Sequence, residues 1–235
     1  MPFHHFHRLQ IAVLLAAVSS LNADALRVSP LEKSQQLPLS KSDRSAQEVN
    51  LGWIPPELSG AGLQWMGLEG EVPSWKDLRG QIIVLQSFRA PSPQMRKVRE
   101  SIEALGTNDV LFLPVHTPDR AERFDQAKRS SAGLDGIPVL VDRHGELCDR
   151  FGFRRKTTNA IVDRRGVVAA VGVRTEALAD LLREMVAVDK EKALDSKPEK
   201  RSAPKASDYP SHNPQVGSAT NRQGEEAPEF SVAQW

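Results

Sequence analysis

Apolar residues in the central part of this 235-residue chain alternate between strand-like and helix-like spacing. Continuous apolar runs predict buried strands at Ile82–Phe88, Val110–Val115 and Ile137–Val141, and then a hairpin of Asn159–Val162 and Val167–Val173. Helical spacing predicts helices at Pro93–Leu105, Asp119–Ser131 and Thr175–Val188, the last capped by Thr175, with a short helix or turn at Gly145–Phe151. Such alternation predicts an α/β fold, a three-layer α/β/α sandwich around a central mixed sheet.

The first 25 residues have the layout of a secretory signal peptide. A histidine-rich start with one arginine precedes the apolar run Leu9–Leu21, and Ala23-Asp24-Ala25 offers a small-x-small cleavage site. The run is shorter than the ~20 residues that a bilayer span needs. We therefore expect export to a periplasmic or extracellular location, with Leu26 as the first mature residue and no membrane span in the mature chain. An uncleaved N-terminal anchor is the alternative.

The flanks of the central part differ from it in composition. Residues 26–59 are rich in polar residues and proline without sustained periodicity, which predicts a spacer before a folded domain at 60–188. Residues 189–223 are polar and proline-rich, and we interpret them as a disordered linker. The formal net charge is +1 with both signs interspersed, so nothing indicates a nucleic-acid partner.

The content of cysteine and histidine limits the chemistry. Cys148 is the single cysteine, so the chain cannot form an internal disulfide or a thiolate metal cluster. The six histidines show no two-ligand spacing outside the signal peptide, and we predict no metal and no cofactor. Cys148 is typical of a half-buried packing residue. His116 ends a strand at the sheet edge where sites of open α/β folds lie, although a lone histidine is more often structural.

Four stretches within Leu63–Val188 resemble a known family. They are Glu71-Val-Pro-Ser-Trp-Lys-Asp-Leu-Arg-Gly-Gln-Ile-Ile-Val-Leu85, Ile137-Pro-Val-Leu-Val-Asp-Arg-His-Gly-Glu146 with Phe151-Gly-Phe-Arg154, and Ile161-Val-Asp-Arg-Arg-Gly-Val-Val168. In this order they resemble the thioredoxin-like fold, and within it the extracytoplasmic thiol–disulfide reductases and redoxins, including alkyl hydroperoxide reductase and thiol-specific antioxidant-like proteins. The resemblance implies an oxidoreductase ancestry.

The chain departs from that family where the catalytic residues belong. The family places Trp-Cys-x-x-Cys at a helix N-terminus, where the helix dipole lowers the pKa of the first cysteine. Aligned without gaps, Ser92 and Met95 occupy the two cysteine positions and Pro91 replaces the tryptophan. Ser92 is expected to be the helix N-cap and Met95 to join the core. The equivalent of the family's cis-proline is Thr157, and Pro138 is the alternative.

The C-terminal tail carries a second, shorter likeness. Gly224-Glu-Glu-Ala-Pro-Glu-Phe-Ser-Val232 resembles the start of another redoxin domain, so residues 224–235 are interpreted as the beginning of a truncated second domain. The alternative is a chance proline-containing tail.

These observations lead to three functional hypotheses. The first is an exported thioredoxin-like module without dithiol catalysis that binds a protein or peptide partner in the cell envelope. The second is a thiol–disulfide oxidoreductase or peroxidase that acts through Cys148 or through a missing second redoxin domain. The third is an exported scaffold whose groove near Phe88, Pro91 and Thr157 holds an extended peptide.

Overall fold

Six β-strands form one mixed sheet at the centre of the computed structural model, which describes residues 31–153 and 157–195. The strands are β1 (Leu63–Met66), β2 (Ile82–Phe88), β3 (Val110–His116), β4 (Val139–Asp142), β5 (Asn159–Val162) and β6 (Val168–Val171). They lie in the order β1-β4-β3-β2-β5-β6. Strand β3 runs parallel to β2 and to β4, and the remaining pairs are antiparallel. The sheet is therefore parallel only in its middle.

Six α-helices accompany the sheet within the described residues. They are α1 (Lys41–Glu48), α2 (Pro93–Glu103), α3 (Gln126–Ser131), α4 (Glu146–Phe151), α5 (Thr175–Val186) and α6 (Lys190–Asp195). Two 3-10 turns lie at Lys33–Gln35 and Ala121–Arg123. Apolar side chains of α2 and α5 pack on one face of the sheet, and those of α4 pack on the other. The predicted three-layer α/β/α sandwich is confirmed.

The central strand β2 shows why the sheet is covered on both faces. All seven of its residues are buried, as an uninterrupted apolar run predicts. Successive side chains of a strand point to opposite faces. Accordingly Ile82 and Val84 join the core beneath α2 and α5, whereas Ile83 and Leu85 join the core beneath α4. Burial of this strand on both faces fixes the middle layer.

Two helix predictions need correction. The predicted helix at 119–131 is broken, because the Asp125 carboxylate accepts a hydrogen bond from the Lys128 amide at 2.9 Å and so caps α3 as a separate helix. Helix α5 begins after Arg174, which makes no side-chain cap, so Thr175 is its first helical residue rather than its cap. Strand β1 lies outside the strands that the pattern predicts.

The prediction of a spacer at 26–59 is wrong for the described residues 31–59. Helix α1 begins after Ser40, whose hydroxyl accepts from the Asp43 amide at 3.1 Å. The helix buries Asp43 and Gln47, and Asn50 just beyond it is also buried. These buried residues are polar, so an apolar pattern does not reveal them. The domain therefore begins well before residue 60.

The same N-terminal segment covers the outer edge of β6. The Leu37 amide donates to the Gly172 carbonyl at 2.7 Å, and near the other end of the strand Gly52 donates to the Val168 carbonyl at 2.8 Å. The Val168 amide donates back to the Trp53 carbonyl at 2.9 Å. An exposed edge strand invites pairing with another chain. We call residues 35–53 the edge cover, since they occupy that edge.

The C-terminal prediction is corrected at its first residues. Residues 190–195, predicted as part of a disordered linker, form α6 and bury Ala193. Arg79 donates to the Leu194 carbonyl at 3.0 Å, which ties this helix to the domain. The signal peptide (1–25), most of the linker and the second-domain likeness at 224–235 lie outside the described residues. Among the residues that are described, no helix has the length and apolarity needed to cross a bilayer.

Candidate functional site

The end of β2 and the start of β5 meet at one end of the sheet. Because β5 is antiparallel to β2 and pairs Asn159 with Gln86, the residues just before Asn159 lie beside the residues that follow β2. The Ser87 amide donates to the Thr158 carbonyl at 2.8 Å across this junction. We call residues 88–92 together with Thr157 and Thr158 the candidate cleft. It holds Ser92 and Thr157, which the resemblance aligns with the first cysteine and the cis-proline, while Met95, aligned with the second cysteine, lies in the first turn of α2.

Ser92 and Met95 have structural roles at the start of α2. The Ser92 hydroxyl oxygen accepts a hydrogen bond from the Met95 amide at 3.2 Å, and Pro93 occupies the first helical position. Met95 is 2% exposed and packs in the core beneath α2 and α5. The serine oxygen is engaged as a cap and the methionine is packed in the core. Neither side chain can act as a redox nucleophile.

The topology separates the two candidates for the proline-loop position. Thr157 is half-buried and directly precedes the Thr158–Ser87 contact, so it lies at the same end of the sheet as Ser92. Pro138 directly precedes β4. Strand β4 pairs with β3, which separates it from β2, whereas β5 lies directly beside β2. Thr157, rather than Pro138, therefore adjoins the residues that follow β2.

Thr158 joins the cleft to β2 through several hydrogen bonds. Its carbonyl accepts from the Ser87 amide, from the Ser87 hydroxyl at 3.0 Å and from Gln86 Nε2 at 2.9 Å. Its own amide donates to Ser87 Oγ at 2.9 Å. All three residues are fully buried. Gln86 Oε1 has no hydrogen-bond partner among the described residues. The sequence pattern does not predict this polar network, and Gln86 and Ser87 within an otherwise apolar strand are its visible signal.

Cys148 lies on the other face of the sheet from Met95. It belongs to α4, packs in the core beneath that helix and is 2% exposed. Its amide donates to Asp142 Oδ2 at 2.8 Å, and the buried Asp142 carboxylate also accepts from the Gly145 amide. Burial, and then the neighbouring Asp142 charge, raises the pKa of the Cys148 thiol far above its ordinary value. The thiol is neutral at physiological pH and is a poor nucleophile.

His116 is packed in an aromatic cluster. Its ring centroid lies 5.0 Å from that of Phe88 and 4.5 Å from that of Phe124, and the residue is 2% exposed. Nδ1 lies 2.7 Å from the Thr117 carbonyl oxygen, so Nδ1 carries the proton in the neutral ring. Burial lowers the pKa of His116, against the opposing effects of that hydrogen bond and of Asp119. The His116 ring therefore packs against Phe88, which belongs to the candidate cleft.

The candidate cleft carries a charged side chain at its surface. Arg89 pairs with Asp119 at 3.3 Å, and both side chains are largely exposed. A separate surface cavity of about 350 Å³ lies between α2 and the end of α3, and its lining residues include Met95, Leu134, Arg96, Arg99, Glu100 and Glu103. Over residues 31–153 and 157–195, no three His, Cys, Asp or Glu side chains are grouped to hold a metal ion.

Comparison with known proteins finds likeness in structure alone. The sequence matches no protein-family model and no curated relative. A thioredoxin-like superfamily protein is 20% identical with a TM-score of 0.47, covering 62% of this chain and 99% of that one. A thiol-disulfide isomerase from Corynebacterium glutamicum is 19% identical with a TM-score of 0.45, covering 56% and 96%. An exposed lipoprotein thioredoxin from Streptococcus pneumoniae is 25% identical with a TM-score of 0.39, covering 49% and 93%.

The order and direction of the strands decide the fold. Strands β2 and β3 with α2 form a parallel β-α-β unit, and β5, β6 and α5 form an antiparallel hairpin with a closing helix. The two units share the sheet in the order β3-β2-β5-β6. The fold is thioredoxin-like. In this thioredoxin-like chain β4 and β1 extend the sheet beyond β3, and the edge cover closes it beyond β6. Ser92, which the sequence resemblance aligns with the first cysteine of the family, caps α2.

Proposed function

We propose that this chain is an exported thioredoxin-like module that binds a protein or peptide partner in the cell envelope and does not catalyse dithiol exchange. One observation carries the proposal: at the start of α2 the Ser92 oxygen caps the helix and Met95 is packed in the core. The thioredoxin-like framework around these positions is intact, including the close contact between the end of β2 and the start of β5. A chain with the thioredoxin-like framework but without cysteines at the aligned catalytic positions is suited to bind a partner rather than to exchange disulfides.

The first test is the reduction of insulin by the chain that begins at Leu26, with dithiothreitol as the electron donor. We expect no turnover above the rate with dithiothreitol alone, because the chain has one cysteine and that residue is buried. The matched positive control is the double variant Ser92→Cys with Met95→Cys, which places a dithiol at the helix N-terminus. Turnover by the unmodified chain would refute the proposal.

Binding is tested at the cleft itself. A photo-crosslinking amino acid replaces the exposed residue Pro91 in one variant, and the exposed α2 residue Glu103 in a control variant. In cells that export the protein, we expect a discrete crosslinked product from the Pro91 position and none from the Glu103 position. Equal crosslinking from both positions, or from neither, would count against a partner at the cleft.

The competing function is redox chemistry through Cys148. Its burial and raised thiol pKa argue against it. We expect the native protein at pH 7.5 to react with a thiol reagent far more slowly than the same protein in denaturant. The Cys148→Ala variant is the control for any peroxide or thiol turnover. Turnover that is present in the native chain and absent in that variant would favour the competing function.

A further inference from the structure

One side chain of the edge cover touches both ends of the segment that leads into the cleft. Gln47 Nε2 donates to the Gly152 carbonyl at 3.3 Å, where α4 ends. Gln47 Oε1 accepts from the Thr158 hydroxyl at 3.2 Å, just before β5 begins. The Gln47 side chain is therefore a bridge between two positions six residues apart in the sequence. Gln47 itself is 1% exposed, so water does not compete for these bonds.

Thr158 is thereby held from two directions. Its backbone is bonded to Ser87 and Gln86 on β2, and its hydroxyl is bonded to Gln47 on α1. The backbone bonds fix Thr158 along the sheet, and the hydroxyl bond fixes it against the helix. Thr157 is the preceding residue and belongs to the cleft, so its placement follows from that of Thr158.

Helix α1 is itself firmly placed. The Asn50 side chain, also 1% exposed, donates to the Arg150 carbonyl at 3.0 Å and so joins α1 to α4. The backbone of Ala46 approaches Gly152 so closely that an added Cβ would lie 2.8 Å from it. Groups that position a site act best from rigid elements. Gln47 meets that condition, because the helix that carries it cannot shift without disturbing α4.

We propose that Gln47 is a positioning residue of the candidate cleft, which sets the distance between Gly152 and Thr158 and thereby places Thr157 for the partner. This inference rests on the proposed binding function. It makes a buried residue of the predicted spacer necessary for the placement of the candidate cleft. Removal of the Gln47 amide leaves the Gly152 carbonyl and the Thr158 hydroxyl buried without these partners.

The test compares Gln47→Met with Arg164→Met in the otherwise complete chain. Methionine keeps the length and burial of Gln47 but removes both hydrogen bonds. Arg164 is also buried, and its side chain donates to the carbonyl of Gly80, which precedes β2 at the end of the sheet opposite the cleft. Hydrogen exchange is measured at the amides of Thr158 and Ser87, which donate across the junction, and at the core amide of Val84.

For Gln47→Met we expect at least tenfold faster exchange at Thr158 and Ser87, with a smaller change at Val84. For Arg164→Met we expect any acceleration at Thr158 and Ser87 to be no greater than at Val84. The inference is overturned if Gln47→Met accelerates all three amides equally, or if Arg164→Met reproduces its selective effect. Gln47→Ala, measured in the same way, replaces the methionine variant if that protein does not fold.

Partner crosslinking from position 91 separates the two proposals. If the unmodified chain forms the crosslinked product, we expect Gln47→Met to reduce its yield and Arg164→Met to leave it unchanged. An unchanged yield with Gln47→Met would overturn the positioning role while leaving the binding function in place. If even the unmodified chain forms no product, the binding function fails, and the exchange measurements alone decide whether Gln47 sets the cleft.

Discussion

Arg164 is the buried cation whose bonds join three parts of the domain. It is 4% exposed and donates to the Gly80 carbonyl at 2.9 Å, to the Val186 carbonyl at 3.1 Å and to the Asp109 carboxylate at 2.9 Å. These partners precede β2, end α5 and precede β3. The residue therefore fastens the end of the sheet opposite the cleft, and its role is structural.

We predict that Arg164→Ala lowers the free energy of unfolding by about 3 kcal/mol, because the Gly80 and Val186 carbonyls each lose a partner at a cost of about 1 to 3 kcal/mol. Urea unfolding followed by circular dichroism measures this loss. The control is Arg183→Ala, whose partner Asp180 and own side chain are both well exposed. That change should cost no more than about 0.5 kcal/mol. Equal losses in the two variants would contradict the assigned role of Arg164.

His116 gives the stability a dependence on mildly acidic pH. Burial holds its pKa in the folded protein below the ordinary value of 6.5. Below pH 6.5 the unfolded chain therefore binds a proton that the folded chain does not bind, and the folded state loses stability as pH falls. The loss stops once pH falls below the folded pKa. Near neutral pH the full contribution is present.

We predict that unfolding in urea shows a smaller difference between pH 7.5 and pH 5.0 for His116→Phe than for the unmodified protein. Phenylalanine keeps the aromatic contacts with Phe88 and Phe124 while removing the titrating group. His144→Phe is the control, since it removes a second histidine from the described part of the chain. If the two variants respond to pH alike, His116 is not the source of the dependence.

At the scale of elements, the contact between α1 and α4 depends on one glycine. Gly152 ends α4 with φ of +71°, a conformation that favours glycine. A Cβ added there would also lie 2.8 Å from the Ala46 backbone. Any side chain at this position therefore lowers the free energy of unfolding twice, through backbone strain and through displacement of α1.

We predict that Gly152→Ala destabilises the protein more than Gly136→Ala does. Gly136 has φ of +74°, and nothing lies within 4 Å of an added Cβ there, so its variant isolates the backbone strain. That strain costs roughly 1 kcal/mol, and the clash with α1 adds to it for Gly152→Ala. Thermal unfolding of both variants measures the difference. Equal melting temperatures of the two variants would mean that displacement of α1 does not lower the stability.

Some helices and strands were predicted from the sequence and others were not. The difference depends on whether their buried residues are apolar or polar. Strand β2 and helix α2 were predicted because their buried faces are apolar, and apolar spacing reports such burial directly. Helix α1 was missed because its buried residues, Asp43 and Gln47, are polar and carry no apolar period. Strand β1 is four residues long and half exposed, too short for a clear pattern.

The candidate site was predictable in part for the same reason. The Ser92 cap follows from local residue types, since a serine before Pro93 is a local helix-start signal. The bonds of Thr158 to Gln47 join residues 111 positions apart, and no local pattern encodes such a contact. The sequence was therefore sufficient to predict the start of α2. The contacts that position Thr157 and Thr158 are seen only in the folded structure.

At the scale of the whole molecule, the edge cover is expected to protect the protein from association. We predict that a chain beginning at Ile54 melts at least about 10 °C lower than one beginning at Leu26 and forms oligomers as its concentration rises. The cause is the exposed edge of β6, which loses its bonds to Leu37, Gly52 and Trp53. Differential scanning fluorimetry and light scattering measure the two effects.

The control for that deletion is a chain beginning at Leu31, which keeps residues 35–53 intact. We expect it to match the chain that begins at Leu26 in melting temperature and to stay in the same oligomeric state. If the chain from Ile54 is as stable and as monodisperse as the one from Leu31, the edge cover has no protective role.

Closure of the sheet by the edge cover also sets an order of events during synthesis. Arg174 Nε donates to the Gln36 carbonyl, a contact between residues 138 positions apart. Gln36 leaves the ribosome long before Arg174 is synthesised. The first described part of the chain therefore cannot complete its docking until nearly the whole domain has been made. The polar residues Lys41–Glu48 can wait in water without aggregating. The composition that conceals this helix from an apolar pattern thus suits a segment that is synthesised well before β6, the strand on which it docks.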